Sequence, residues 1–434
     1  MAAKYDASSI QSITEDRDRV RTRPTIYVPS THADGALHTI FEVVDNSIDE
    51  LAIDDSVGKS LTVTFDTKTK EVSVTDDGRG IPHESLFEAC TVLNTSGKFH
   101  NDENTAYTYS GGINGCGLKI AVFLSKTCEV TSIRSGKSLT YKFKDGYLVD
   151  TIKAKAKGHG TIVKFTLDND ILEINDVSSK DIKRRLQEKS YCFPDILMTL
   201  VVNEDGKEKS TTFSGKTLLD LLKTMKPDTE IIEASGTKKV TLLKRIDEDI
   251  TDIKVVVQAA FGYKEAALDA DTDTYVISYA NSIKTYDGGA HVEGLKLGLV
   301  KFFREVLIPK FGKRDRDLPI TPTDITSGLC GMVWVRLSKP EFSAQHKAKL
   351  TNQEVKFAVR DVVFETLSEM KPAEVNVLGD FVKRVTRGPL ASKKVRKKDV
   401  DNAFSKDRPD KYTPIVYNMK TTSPELVILE GQTI

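Results

Sequence analysis

The sequence predicts an α+β protein in which helices pack on a largely antiparallel sheet, followed by a second α/β unit. Two observations carry that expectation. Leu37, Ile40, Phe41, Val44, Ile48 and Leu51 recur at three- and four-residue spacing, an apolar stripe along a helix starting after Asp34-Gly35. Leu61, Val63 and Phe65 then alternate, Thr67-Lys68-Thr69-Lys70 turns the chain, and Val72 and Val74 alternate again, the pattern of a hairpin. Hydrophobic residues make up 39% and charged residues 29% of the chain, a balance that suits packed cores rather than disorder.

Each element follows in order. On the first helix Glu42, Asn46 and Asp49 share the face opposite the stripe. The second hairpin strand runs into Asp76-Asp77-Gly78-Arg79-Gly80-Ile81-Pro82. Residues 93–110 are polar and aperiodic, which reads as a long loop. It ends in Ser110-Gly111-Gly112-Ile113-Asn114-Gly115-Cys116-Gly117, before a helical run over 118–124. Strand signals follow at 128–133, 139–143 and 161–167, then a helix at 216–224, and the region closes near Pro227-Asp228. The second unit has strands at 253–261, 275–280 and 330–337, with a helix at 291–307 between the last two. Helices at 352–369 and 373–386 lead into a tail that is lysine-rich from about 391 and then polar.

Composition excludes several classes. The 63 basic and 63 acidic residues cancel, so no globally basic nucleic-acid coat exists. Apolar runs are short and broken by charge, so no membrane span or membrane partner is expected. The opening MAAKYDASS has no apolar h-region of a secretory signal. Cys90, Cys116, Cys128, Cys192 and Cys330 are scattered without a C-x-x-C pair, which argues against a zinc ribbon or disulfide framework and for a reducing cytoplasm. At 434 residues, two or three domains are expected.

A nucleotide site is tested first against the P-loop. Gly58-Lys59-Ser60, Gly136-Lys137-Ser138 and Gly215-Lys216-Thr217 match its end, but the glycine required five residues earlier is Ile53, Thr131 and Ser210. A Walker NTPase is therefore excluded. The glycines at 111, 112, 115 and 117 offer another way to approach a polyphosphate, since no Cβ stands between backbone and ligand. The helix that follows would aim free N–H groups at the anion.

Glu42, Asn46, Asp76, Gly78, Gly80, the 111–117 loop and Thr161 together resemble, in order and spacing, the Bergerat (GHKL) ATP-binding fold. That fold is shared by gyrase, the ninety-kilodalton heat-shock chaperone, histidine kinases and MutL. From residue 1 to about 390 the chain is similar to the N-terminal half of a gyrase B protein and its topoisomerase IV and phage counterparts. Tyr5-Asp6, residues 42–50, 76–82, 110–117, 286–289 and 342–350 carry this likeness. It implies a GHKL ATPase domain with an N-terminal exchange arm over 1–228, a transducer over 229–390, and over 391–434 a basic linker and possible start of a TOPRIM domain.

The resemblance also implies roles. Glu42 would be the general base that orients and deprotonates the attacking water. Asn46, one helical turn later, would complete the shell of Mg²⁺ as a hard oxygen ligand. Asp76 would accept from the adenine amino group, with Thr161 supporting it through a water and Gly80 allowing close approach to the base. Arg79 and Pro82 match residues that wall the adenine entrance, and Lys98 and Tyr107 match lid residues at the phosphates and ribose. Asn114, Gly115, Cys116 and Gly117 would present backbone N–H groups to the phosphates. Gln345 and Lys347 match a γ-phosphate-sensing loop, where a lysine stabilises phosphoryl transfer. Tyr5 matches an arm residue that enters the partner subunit's nucleotide site, coupling ATP occupancy to homodimerisation.

Some departures stand out. Arg23-Pro24-Thr25-Ile26-Tyr27-Val28-Pro29 replaces the usual Arg-Pro-Gly-Met-Tyr-Ile-Gly, His346 stands for a threonine, and Ile113-Asn114 for Leu-His. They suggest a divergent, phage-like member. Residues 425–431 resemble the opening TOPRIM strand, but the later aspartate pair is absent before Ile434. DNA cleavage is thus expected from a separate region or subunit carrying the catalytic tyrosine. Eight of the sixteen residues over 383–398 are Lys or Arg, which would give sequence-independent contact with double-stranded DNA. The implied function is the ATP-hydrolysing N-gate of a type IIA topoisomerase. The alternative is an ATP-binding clamp without turnover, against which an intact Glu42 argues. A histidine kinase would need a phosphoacceptor helix upstream and would lack the pairing of Glu42 with a Lys347 loop.

Overall fold

The predicted hairpin lies at the middle of a larger sheet. In the computed structural model the described residues are 12–53, 56–98, 107, 109–112, 114–225, 231–241, 252–263, 274–307, 309, 322–343 and 347–370. Strands β1 (Ser60–Asp66) and β2 (Val72–Asp76) pair antiparallel with Leu61 opposite Asp76 and Phe65 opposite Val72. Leu61, Val63, Phe65 and Val72 are fully buried, as the alternation requires. The sheet is completed by β3 (Ser125–Arg134), β4 (Lys137–Lys144), β5 (Tyr147–Lys155), β6 (Gly160–Leu167), β7 (Leu197–Glu204) and β8 (Lys207–Phe213). Its order is β5-β4-β3-β6-β2-β1-β7-β8. The β1–β7 pair is parallel and the other pairs are antiparallel, so the sheet is mixed.

Helices α1 (Asp16–Thr22), α2 (Ala33–Leu51), α3 (Leu86–Thr91) and α4 (Gly117–Phe123) belong to this part, as do α5 (Ser179–Cys192) and α6 (Leu218–Met225). Helix α2 begins at Ala33, so Asp34-Gly35 falls inside its first turn rather than before it. Its stripe of Ile40, Val44 and Ile48 enters the core of the sheet. The opposite face is also shielded from water: Glu42, Asp45 and Asp49 are all buried. Charged groups there require partners, because an unpaired buried charge is strongly destabilising.

The second sheet contains β9 (Ile231–Thr241), β10 (Asp252–Tyr263), β11 (Tyr275–Ala280), β12 (Ile283–Lys284) and β13 (Leu329–Arg336), ordered β12-β11-β13-β10-β9. Its helices are α7 (Ala290–Phe302), α8 (Pro322–Thr326) and α9 (Gln353–Glu369). The helix expected over 291–307 is α-helical only to Phe302 and continues as a π-helical turn, Phe303–Leu307. Strand β13 explains why this sheet is covered on both faces. Leu329, Val333 and Val335 join the core formed with α7 and α9, whereas Cys330, Met332 and Trp334 join one with α5 and α6. A strand apolar on both faces needs a layer on each side, and α5 and α6 thereby tie the second sheet to the first part.

The helix expected at 373–386, the basic segment at 383–398 and the strand expected at 425–431 lie outside the described residues, as does the boundary near Pro227-Asp228. Among the described residues no helix is long and apolar enough to cross a membrane.

Candidate functional site

A cavity of about 440 Å³ lies beside the buried polar face of α2. Glu42, Asn46, Asp76, Arg79, Gly80, Pro82, Lys98, Tyr107, Asn114, Gly115, Cys116, Gly117, Thr161 and Lys347 all line it. The fold thus gathers every candidate site residue that is described, from positions spread over three hundred residues of chain. Tyr5 and Gln345 lie outside the described residues. A larger cavity, about 880 Å³, opens beside α5, α6 and part of the second sheet and shares Arg79 and Tyr107 with the first. It contains Trp334 and Arg336 but none of Glu42, Asn46, Asp76 and Lys347. Chemistry rather than size therefore picks the site.

At one end stands Asp76, at the end of β2 and buried. Its Oδ2 accepts from Ser47 Oγ at 2.7 Å, and its Oδ1 accepts from the amides of Gly78 at 3.0 Å and Thr161 at 3.2 Å. Thr161 thus touches the carboxylate directly through its backbone, because β6 sets it opposite Asp76 in register. Burial pushes Asp76 up to about 6, even though these hydrogen bonds favour the charged form. At the rim, Arg79 makes a two-pronged ion pair with Glu50, Nε to Oε1 at 2.8 Å and Nη2 to Oε2 at 2.9 Å. Tyr107 donates to the same carboxylate and stacks under the Arg79 guanidinium.

At the other end, Lys347 Nζ donates to Glu42 Oε1 at 3.1 Å. The lysine is 3% exposed and the glutamate 8%. His38, one turn before Glu42 on α2, places Nε2 3.5 Å from the same oxygen. Burial alone would raise the Glu42 carboxyl, but Lys347 and His38 outweigh it and hold it below the usual carboxylate range. Burial would likewise lower the Lys347 ammonium, and Glu42 outweighs that, so both groups stay charged. Lys347 also sits at φ +57, a left-handed conformation rare for a side chain of this size. Surrounding structure must hold it there.

Between the two ends runs the glycine loop into α4. A Cβ at Gly117 would fall 2.4 Å from Glu42 Oε2, so any side chain here would force the carboxylate or the loop to move. Cys116 contributes backbone rather than thiol: its Sγ is turned to the carbonyl of Asn114 at 3.2 Å. Lys98 Nζ donates to Asn46 Oδ1 at 3.1 Å and to Asp49 Oδ2 at 2.8 Å, so the Asn46 oxygen points at a position suited to a cation. No group of three His, Cys, Asp or Glu side chains able to hold a metal exists among the described residues.

Sequence reasoning did not single out Ser47, Glu50 or His38. His38 had a signal, its four-residue spacing to Glu42 on the helix. Ser47 and Glu50 had none, since their partners Asp76 and Arg79 are met only in the folded sheet.

Comparison with known proteins gives the family. A family model described as histidine kinase-, DNA gyrase B-, and HSP90-like ATPase matches residues 36–180, and one described as DNA gyrase B matches residues 216–400. The gyrase B protein of Campylobacter jejuni is 31% identical over 416 residues, which cover 91% of this chain and 50% of the relative. That of Borreliella burgdorferi is 32% identical over 423 residues, 92% of this chain and 62% of the relative. This chain thus spans from half to three fifths of these relatives' length. Among solved structures, the 43K ATPase domain of Thermus thermophilus gyrase B superposes with TM-score 0.59 at 23% identity, covering 89% of this chain and 98% of that one. The ATPase region of Saccharomyces cerevisiae topoisomerase II gives 0.63 at 18% identity, with 88% and 100% covered. At such identities the superpositions speak to fold, an α+β GHKL arrangement with helices on mixed sheets. The two family matches and the relatives make this chain a member of the gyrase B family of type IIA DNA topoisomerases, spanning its ATPase and transducer region.

Proposed function

We propose that this chain is the ATP-hydrolysing N-gate of a type IIA DNA topoisomerase. One observation carries the reading: Glu42 from the first part and Lys347 from the second meet at the end of a cavity whose far end is the oriented carboxylate of Asp76. Adenine recognition suits Asp76, since Ser47, Gly78 and Thr161 already fix its oxygens. The backbone of residues 114–117 and Lys98 suit the phosphates. Glu42, charged and buried, orients the attacking water and takes its proton, while Lys347 steadies charge on the γ-phosphate. Gln345 would share that task. Asn46 would hold Mg²⁺ together with phosphate oxygens and water, and the ion would neutralise charge on the phosphates.

Around this chemistry the larger reading is a clamp. Residues 1–228 form the ATPase domain, 229–390 the transducer, and 391–434 a basic linker with the possible start of a TOPRIM domain. Two copies bind ATP, exchange arms bearing Tyr5, and close on a double-stranded DNA segment. The charge of basic residues 383–398 suits sequence-independent contact with that DNA. Cleavage and religation belong to a region or subunit carrying the catalytic tyrosine. The five cysteines are buried and free, which suits a reducing cytoplasm.

Steady-state phosphate release tests the base directly. Glu42→Ala should lower turnover at least about 100-fold while a non-hydrolysable ATP analogue still binds. Retained turnover in the variant removes Glu42 from the mechanism, and absent turnover in the wild type favours a clamp that only binds ATP. Nucleotide affinity should depend on pH through Asp76. The adenine amino group needs an ionised acceptor, and protonation competes with it. Affinity should be full above neutrality, fall as pH drops through about 6, and be roughly tenfold weaker at pH 5. A flat profile in a fluorescence titration contradicts the adenine assignment. Finally, sedimentation should show the analogue converting monomer to dimer, and deletion of residues 1–10 should weaken the shift; an analogue without effect argues against a gate.

A further inference from the structure

Asp49 takes no part in the scheme above, yet it is 4% exposed and densely hydrogen-bonded. Its Oδ2 accepts from Ser110 Oγ at 2.7 Å, from the amides of Gly111 and Gly112 at 3.1 Å each, and from Lys98 Nζ at 2.8 Å. Its Oδ1 accepts from Ser282 Oγ at 2.8 Å. Burial alone would raise this carboxyl, but Lys98, Ser110 and Gly111 together hold it below the usual range, so it is a charged acceptor.

Ser282 comes from the second sheet, in the turn between β11 and β12. That turn is rigidly held. Asn281, at φ +52 and 1% exposed, donates from Nδ2 to the carbonyls of Ser110 at 2.7 Å and Leu337 at 2.9 Å. Its Oδ1 accepts from the Leu337 amide at 2.9 Å, and its own carbonyl accepts from Trp334 Nε1 at 2.8 Å. The Ser282 carbonyl accepts from Lys189 Nζ at 2.5 Å, and that lysine also pairs with Asp45 on α2. A Cβ at Gly111 would lie 2.3 Å from Ser282 Oγ and 2.8 Å from Ile283, so loop and turn are in direct contact.

We propose that Asp49 and the Asn281-Ser282 turn form a latch through which the second sheet sets the position of the glycine loop. Asp49 is a positioning residue: it acts on the reaction through residues 110–112, not by touching the reacting atoms. The proposal rests on the reading of the cavity as a nucleotide site. The start of the loop is clamped between α2 and the turn, and residues 114–117 beyond it line the cavity beside Glu42. A shift at the clamped end moves the phosphate-facing amides relative to Glu42 and Lys347. Small displacements of that kind slow chemistry steeply. Asp76, at the far end, accepts from Ser47, Gly78 and Thr161, none of them a residue of the latch, so binding of the base should survive the loss.

The test uses the full chain with Ser282→Ala, Asp49→Asn and the double variant, reading phosphate release, calorimetric affinity for a non-hydrolysable ATP analogue, and hydrogen exchange over residues 109–118. Ser282→Ala removes one hydroxyl and keeps the test valid should Asp49→Asn fail to fold. It should lower kcat roughly tenfold, leave affinity within about threefold, and expose the Gly111 and Gly112 amides to faster exchange. The double variant should turn over no more slowly than Asp49→Asn alone, because Ser282 acts on the loop through Asp49. The latch is overturned by unchanged turnover in Ser282→Ala, by equal losses of affinity and turnover, or by effects that multiply in the double variant. A wild type that binds no analogue overturns the nucleotide reading itself.

Discussion

The ion pair between Glu42 and Lys347 is the constraint around which the site is arranged. Each group is buried, and each would be costly alone, since removing an ion from water costs several kcal/mol. They remain charged because each supplies the other's partner, with His38 adding to the lysine's effect on Glu42. Since one charge belongs to a helix of the first sheet and the other to a loop beside the second, the pair forms only when both parts are docked. The left-handed backbone at Lys347 and the glycine at 117 are consequences: one aims the ammonium, the other lets the loop pass the carboxylate.

A polar seam, buried at Asp45 and Asp49 and reaching the cavity rim at Glu50, extends from that pair along α2. Asp45 meets Lys189, Asp49 meets Ser282 and the glycine loop, and Glu50 meets Arg79 and Tyr107. Three carboxylates on a helix shielded on both faces would ordinarily mark a poor core. Here each holds a different neighbouring element in place, which gives the helix more structural work than its apolar stripe implies. Specific docking of the two parts is the expected return for burying so many charges, since a misplaced neighbour leaves a charge unpaired.

Much of this was legible in the sequence. The β1–β2 alternation survives in the fold because one face of that hairpin is buried, and the stripe on α2 survives because its apolar residues face the sheet while its polar residues face other partners. Strand β13 was legible as an apolar run. Strand β5 was not, because all nine of its residues are exposed and no side is selected for burial. Strand β8, polar at the sheet's other edge, hid for the same reason, and β7 and α5 were lost between weak signals. For the site, the residues named by family motif share one cavity wherever they are described, yet Asp49 was seen only as a residue on a face. Its partner Ser282 lies 233 positions away, and no local pattern announces a contact made by a turn of another sheet.

The most direct measurement is the unfolding free energy of Glu42→Gln, Lys347→Met and the double variant. If the buried pair is the constraint that docks the two parts, breaking it from either side should cost about 3–5 kcal/mol. The double variant should then cost clearly less than the sum of the two, because neither charge is left stranded. Single substitutions that cost little, or that add without coupling, would contradict the account.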